Sequence, residues 1–255
     1  MSLRRKTLTI LVWFSFAMGP LLATAAERRG ALWDVVNACA LDYALTGAPF
    51  PCMKVSPGEG AERGYAILRP PVGGDDIILT PTRKVAGLED SFLQTSEAPN
   101  YFEAAWNERA VLAEHERQLP EGEEVALAVN SKYSRSQDQL HIHLGCLIDE
   151  AKATLAASRS NLSSAVWRKL ANPIAGITFW GRVIPSRSLT GVNPFRIAFE
   201  DFDKGADPRG AVSIVLVGGA LPLSRDEFIL LRTTDDPAHP TSARSGTEIL
   251  RPSCG

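Results

Sequence analysis

Four histidines occur in the 255 residues, and two of them, His141 and His143, stand two apart in Gln139-Leu-His-Ile-His-Leu-Gly-Cys146. Polar and apolar residues alternate through Leu144, which predicts a strand whose positions i, i+2 and i+4 share a face. On that reading Gln137, Gln139, His141 and His143 line one side, while Leu140, Ile142, Leu144 and Cys146 line the other. A neutral imidazole is a competent nucleophile toward phosphorus near pH 7, and a second one beside it is suited to holding a phosphoryl oxygen or managing a proton. Two plainer readings stand beside this one. Both histidines could simply occupy a solvated sheet face. Alternatively they could share a zinc ion, which needs a third or fourth ligand. No cysteine or nearby histidine supplies one locally: His115 falls on the polar side of its expected helix, and His239 sits in a loop between Pro237 and Pro240.

The elements that must position this pair can be read from periodicity. Trp33 to Leu41 reads as a short helix, followed by a loop rich in proline and glycine. Gly64 to Arg69 and Asp76 to Thr80 are apolar runs joined by turn formers, which predicts a hairpin. From Phe102 the apolar residues Ala105, Trp106, Ala110, Leu112 and Ala113 fall at helical spacing. Val125 to Val129 is a continuous apolar run suited to a central strand, and it ends at Asn130 before a polar loop from Ser131 to Asp138. A helix is expected from about Asp149 to Ser158, and Val212 to Val217 with Glu227 to Arg232 suggest a closing pair of strands. The sum is an antiparallel-rich α+β domain over residues 27–255, with the poorly patterned stretch 159–210 as a possible subdomain.

Composition narrows the setting. With 45% hydrophobic and 22% charged residues the body is that of an ordinary soluble domain, and a net charge of −2, more acidic still without Arg4, Arg5 and Lys6, disfavours nucleic acid as a partner. Residues 1–26 differ in kind: those three basic residues precede 19 uncharged residues from Leu8 to Ala26, interrupted by Gly19-Pro20. The pattern predicts either a signal peptide cleaved after Ala25 or a membrane anchor, with the remainder of the chain exported in both cases. In an oxidising compartment Cys39, Cys52, Cys146 and Cys254 are expected to form two bridges. Of the three pairings, Cys39 with Cys52 is preferred because it closes a short loop through Pro49 and Pro51, leaving Cys146 for Cys254.

The stretch Asn130-Ser-Lys-Tyr-Ser-Arg-Ser-Gln-Asp-Gln-Leu-His-Ile-His-Leu-Gly-Cys146 resembles the active-site strand of the histidine triad (HIT) superfamily, and specifically of the bacterial CDP-diacylglycerol pyrophosphatase family. The likeness extends to the N-terminal apolar segment, the Cys39 and Cys52 region, Leu79-Thr-Pro-Thr-Arg83, Pro99 to Arg109, Ala126 to Ser131, Pro194-Phe195 and a cysteine near the end. It implies a HIT-like antiparallel sheet with packed helices. It also implies hydrolysis of CDP-diacylglycerol to CMP and phosphatidate through a nucleotidyl-histidine, with no obligatory metal or other cofactor.

Carried over residue by residue, the middle histidine of the triad, the nucleophile, is His141, and the third is His143. The first position holds Gln139, a departure, because an amide cannot carry a proton at neutral pH. A register shifted by two residues would make His143 the attacker. Asn130 and Ser136 fall near positions where the superfamily places an asparagine and a serine by the phosphates. Gln137 and Gln139 are candidate donors, Lys132 and Arg135 are candidates to offset phosphate charge, and Arg83 and Lys84 are more distant ones; each of these loop residues could equally be an ordinary solvated side chain. The implied substrate leaves its acyl chains in the bilayer, so the expected place is the inner membrane with the domain facing the periplasm. Phe195, Ile197, Phe199 and Phe202 could meet acyl chains, although core packing is the more ordinary role for such residues. The alternatives are a nucleotidyl transferase or soluble-nucleotide hydrolase of the same superfamily, and a non-enzymatic lipid-binding module of the envelope.

Overall fold

Every described strand pairing is antiparallel, as expected where short strands are joined by loops and hairpins rather than by helical crossovers. The computed structural model describes residues 25–58, 62–70, 76–113, 125–202, 208–218, 226–251 and 254. In chain order these form α1 (Ala25–Thr46), β1 (Lys54–Ser56), β2 (Tyr65–Leu68), β3 (Ile77–Pro81), α2 (Tyr101–Asn107), β4 (Val125–Val129), β5 (Ile142–Leu147) and α3 (Asp149–Ser158). Then follow β6 (Arg168–Lys169), β7 (Trp180–Ile184), α4 (Pro194–Phe199), β8 (Val212–Gly218), β9 (Phe228–Thr234) and β10 (Leu250–Arg251). The ten strands make one sheet in the order β1-β2-β3-β5-β4-β8-β9-β7-β6, with β10 added against β5.

The sheet is covered on both faces, but unequally. On one face Ile77, Leu79, Leu127, Ile142, Leu144, Leu216 and Leu230 pack with Tyr101 and Phe102 of α2 and with Phe195 and Phe199 of α4 in the largest core. On the other face there are two separate clusters. Ala66, Leu68 and Ile78 lie beneath Leu32, Val36 and Cys39 of α1. Ala126, Ala128, Val215, Val217 and Ile229 lie beneath Ala151 and Leu155 of α3. β5 runs between those two clusters, so the side chains it sends to this face emerge in the gap between α1 and α3.

Local sequence explains the helices that frame the gap. α1 buries Leu32, Val36 and Cys39, spaced one turn apart, and stops at Gly47, whose φ of 77° and N–H to the Tyr43 carbonyl (2.9 Å) make a left-handed glycine cap. It is longer than Trp33 to Leu41 because the flanking alanines and Leu45 continue to favour helix beyond the amphipathic centre. α4 begins with the Asn193 side chain accepting from the Phe195 N–H (3.0 Å) and with proline at its first position.

Several expectations need correction. β5 starts at Ile142, not Gln139, so it carries His143 while His141 lies just before it, because Gln139 turns its side chain inward to neighbouring backbone and breaks the alternation. Helix α2 ends at Asn107 and a 3-10 turn, Arg109–Leu112, carries the remaining apolar residues. β8 and β9 do not close the sheet: β7 and β6 add beyond β9, so the stretch 159–210 contributes strands to the same sheet rather than a subdomain. Phe195 and Phe199 are core, and Ile197 and Phe202 pack against it, which leaves acyl contact to other residues. His115, most of the leader and the stretches 71–75 and 219–225, where turns are expected, lie outside the described residues. Among the described residues no helix is long and apolar enough to cross a membrane.

Cys39 bonds Cys52 and Cys146 bonds Cys254, the preferred pairing. The second bridge spans 108 residues and holds the C-terminal tail beside β5, where β10 pairs Leu250 with Leu147 and Arg251 with Cys146. Closing so long a loop restricts the unfolded chain strongly. The Cys146→Ser/Cys254→Ser double variant is expected to lose about 2–5 kcal/mol of unfolding free energy, read by urea denaturation against the parent chain.

Candidate active site

The ladder register brings together residues far apart in sequence. Across β4 and β5 Ala128 faces His143, and across β3 and β5 Ile78 faces His143, so this imidazole rises between the α1 and α3 clusters. Continued by two residues, the same registers bring Asn130 and Thr80 level with His141. The two imidazole rings lie edge to face with centroids 4.9 Å apart. They are therefore not splayed: His141 is buried, with 8% of its surface exposed, and His143 borders a small pocket of about 90 Å³ with Asp76, Leu144, Thr247, Leu250 and Arg251, which His141 does not line.

The two rings have different surroundings. His141 Nδ1 lies 2.7 Å from the carbonyl oxygen of Gln139. A carbonyl only accepts, so Nδ1 carries the proton and Nε2 is left with its lone pair. Burial, reinforced by the neighbouring His143 and by Arg135, pushes the His141 pKa down to about 3, against the weaker upward pull of the Gln139 carbonyl. His143 Nδ1 lies 3.4 Å from Asp76 Oδ2, and neither of its ring nitrogens has a well-formed hydrogen bond. That contact holds the Asp76 carboxyl below its usual range, with burial opposing. Asn130 Oδ1 is likewise buried without a partner. Unpaired polar atoms concentrated along one short column mark it as a place for a polar ligand.

Gln139 is fully buried, and its amide is engaged. Nε2 donates to the carbonyls of Pro81 (3.0 Å) and Arg83 (2.9 Å), with a longer contact to Thr80 Oγ1 (3.4 Å), and Oε1 accepts from Val85 N (3.2 Å). Its expected role as a donor to substrate is therefore replaced by a supporting one: the side chain clamps the end of β3 while its own carbonyl orients His141.

Arg135 is redirected in the same way. Its guanidinium is buried and donates to Glu89 (2.8 and 2.5 Å) and to Asp138 Oδ1 (3.1 and 2.9 Å). Burial of Glu89 disfavours its charge, but Arg135 more than offsets this and the carboxyl stays below its usual range. Asp138 in turn receives both Arg29 Nε (2.8 Å) and Nη2 (2.7 Å), and Arg29, ahead of Arg135, holds it at a pKa of about 2. Arg29 Nη1 also reaches the Arg135 carbonyl, and Gln137 Oε1 accepts from Leu32 N (2.9 Å). The first turns of α1 thus fasten the loop that leads into His141. Ser131 Oγ donates to Asp235 (2.5 Å), and Lys132 N donates to Gly210 O (2.8 Å), fixing the start of that loop.

Of the remaining expected residues, Lys132 and Ser136 are exposed, as is Lys84. Arg83 stacks over Phe92 and pairs with Glu62. Among the described residues no three histidine, cysteine, aspartate or glutamate side chains converge as a metal site. Asp76, Arg29, Glu89 and Asp138 went unnoticed in the sequence. Only Asp138, within the polar loop, had a local signal; the rest reach the site through ladder register or through contacts across 46 to 109 positions.

Fold and site together define a protein in which an antiparallel sheet presents a pair of imidazoles, one of them held neutral with a free Nε2, beside partnerless polar groups. Residues 27–255 match the family described as CDP-diacylglycerol pyrophosphatase, and the chain belongs to that family. A Yersinia pestis protein named CDP-diacylglycerol pyrophosphatase is 31% identical over 229 residues, covering 89% of this chain and 85% of the relative. Proteins of the same name from Mycobacterium bovis (strain BCG / Pasteur 1173P2) and Mycobacterium tuberculosis (strain ATCC 25177 / H37Ra) are 29% identical over 222 residues, covering 85% of this chain and 80% of each relative.

Two measurements check this geometry. Arg29→Ala should speed hydrogen exchange at the amides of Leu32 and Asp138, leaving β8 and β9 protected. His141 supplies a pH signature. Below about pH 6.5 the unfolded chain takes up a proton at this imidazole that the folded chain refuses until about pH 3. Its contribution is intact above pH 6.5 and erodes by about 1.4 kcal/mol per pH unit as the pH falls through that window. His141→Gln should flatten that part of the slope in denaturation series from pH 7 to pH 5.

Proposed function

We propose that this chain hydrolyses the pyrophosphate linkage of CDP-diacylglycerol to CMP and phosphatidate, with His141 as nucleophile on a HIT-like sheet. The observation that carries the reading is the hydrogen bond from His141 Nδ1 to the Gln139 carbonyl, which leaves Nε2 unprotonated at neutral pH beside a second imidazole. Family membership names the substrate class.

In the first step the Nε2 lone pair attacks the cytidine-side phosphorus, the bond from that phosphorus to the bridging oxygen breaks, and phosphatidate leaves with the electron pair. In the second step water attacks the same phosphorus, the phosphorus–nitrogen bond breaks, the electron pair returns to Nε2, and the proton released by water passes to solvent as CMP leaves. His143, with Asp76 beside it, donates to a phosphoryl oxygen or to the departing bridge. Asn130, level with His141, is available to the phosphates, and exposed Lys132 and Ser136 lie in the loop between Asn130 and His141. Arg135, Gln139 and Gln137 act through the loop, not on the substrate. Because the diacylglycerol stays in the bilayer, the reading includes attachment at the inner membrane with the domain facing the periplasm, supported by the apolar leader.

The test is incubation with CDP-diacylglycerol labelled at the cytidine-side phosphorus in the presence of EDTA, rapid quenching, and mapping of acid-labile label. Label is expected on His141, with His141→Ala slowing turnover about a thousandfold or more and His143→Ala about a hundredfold. Label on His143 would shift the nucleophile by two residues. Turnover restored only by added zinc would replace the covalent route with a metal-assisted one.

A further inference from the structure

α1 and the loop after it carry an apolar surface that the folded chain leaves open. Leu41, Leu45, Phe50 and Met53 are 62%, 75%, 77% and 37% exposed, and they fall within one short stretch of chain. Ala38, Ala44, Ala48 and Pro51 are exposed around them. Between Asp34 and Lys54 the sole charged residue is Asp42, which is half-buried and accepts the Phe50 N–H at Oδ2 (3.1 Å). The Cys39–Cys52 bridge ties the helix to the loop, so the two halves of the surface are held together in the open rather than collapsing onto the core. Scattered exposed leucines are ordinary; a contiguous uncharged tip stapled in place is not.

We propose that this tip, Leu41, Leu45, Phe50 and Met53, inserts into the hydrocarbon margin of a lipid bilayer and so sets the histidine pair over its substrate. The inference rests on the reading of the substrate as a membrane lipid. Two features favour a bilayer over a protein partner. Asn37 and Thr46 are exposed beside the tip, but within residues 35–53 the one charged side chain is half-buried Asp42, and an acyl margin asks for apolar area without charge. The same helix that carries the tip also fastens the catalytic loop: Arg29 and Leu32 hold Asp138 and Gln137, and Leu45 lies about 20 Å further along α1. With α1 lying along the bilayer surface, the tip and the gap beside α1 both meet the headgroup level, as a diphosphate joined directly to the glycerol requires. The surface also explains how acyl chains are accommodated although Phe195 and Phe199 are core.

The experiment uses the full chain in phosphatidylcholine vesicles containing CDP-diacylglycerol, with Phe50→Trp as reporter. Brominated acyl chains are expected to quench its emission beyond the quench of the parent chain's own five tryptophans. Leu45→Asp/Phe50→Asp should lower turnover of the vesicle substrate about tenfold and leave turnover of a short-chain, water-dispersed CDP-diester unchanged. Absence of excess quench, equal loss on both substrates, or a reporter signal that depends on protein concentration without lipid would each overturn the proposal, the last by showing that a second copy covers the tip. A parent chain that turns over neither substrate while the reporter is still quenched would remove the hydrolase reading and keep the membrane surface.

Discussion

The arrangement of the site depends on one buried amide. Gln139 cannot continue the strand that follows it, because its side chain is committed to the main chain of residues 81–85 on the far side of the gap. That commitment fixes the direction of its carbonyl, and the carbonyl fixes the tautomer of His141. A histidine in its place could not make the same set of bonds, since an imidazole has one donor and one acceptor where the amide offers two donors and a two-lone-pair oxygen. The departure from a three-histidine pattern thus has a physical content: a proton carrier is exchanged for a clamp. Loss of that clamp would leave an unsatisfied Val85 N–H and unpaired carbonyls in the interior, each costing about 1–3 kcal/mol.

Around this point the sheet supplies position and α1 supplies rigidity. A strand buried on both faces would seal any side chain it carries, and β5 is covered on one face by the core beneath α2 and α4. On the other face the two helices that cover the sheet stop short of each other, because α1 packs on β2 and β3 while α3 packs on β4, β8 and β9. The imidazoles occupy the seam. Gly145, next on that face, has to be glycine for a similar reason: a Cβ there would come within 2.6 Å of the Arg251 carbonyl, where β10 passes on its way to the Cys146–Cys254 bridge. The C-terminal tail therefore walls one end of the seam and the Arg29–Asp138–Arg135–Glu89 network walls the other.

What the sequence made legible follows from which interactions are local. The histidine pair, the strands with continuous apolar runs, α3 and the cysteine pairing by loop length were all readable, since each depends on spacing within a short window or on chemistry of the compartment. Arg135 shows where such reading stops. A basic residue in a polar loop next to a phosphate-type site looks like a ligand for phosphate, and nothing nearby in sequence reveals that Glu89, 46 positions away, has already engaged it. Gln139 failed for the complementary reason: alternation predicted its face correctly as far as polarity goes, but only the neighbouring strand end shows that the amide is enclosed. β6 and β7 were invisible because two- and five-residue strands at a sheet edge carry little periodic signal.

Two identical side chains two residues apart would ordinarily titrate together and share any chemistry. Here the environment separates them. His141 is buried, its pKa lowered further by His143 and Arg135, and is kept neutral with its proton on the nitrogen that faces the Gln139 carbonyl. His143 borders the small pocket with its Nδ1 3.4 Å from Asp76 Oδ2, a contact that holds the carboxyl below its usual range. On the proposed reading, a ring kept neutral with its lone pair on Nε2 supplies the electron density that displacement at a diphosphate requires, and the neighbouring ring with its carboxylate supplies a donor. Because the rings are only two residues apart, His143 on β5 and His141 just before it, the difference in their surroundings does not depend on domain motion; it depends on Gln139 and Asp76, one at each end of the pair.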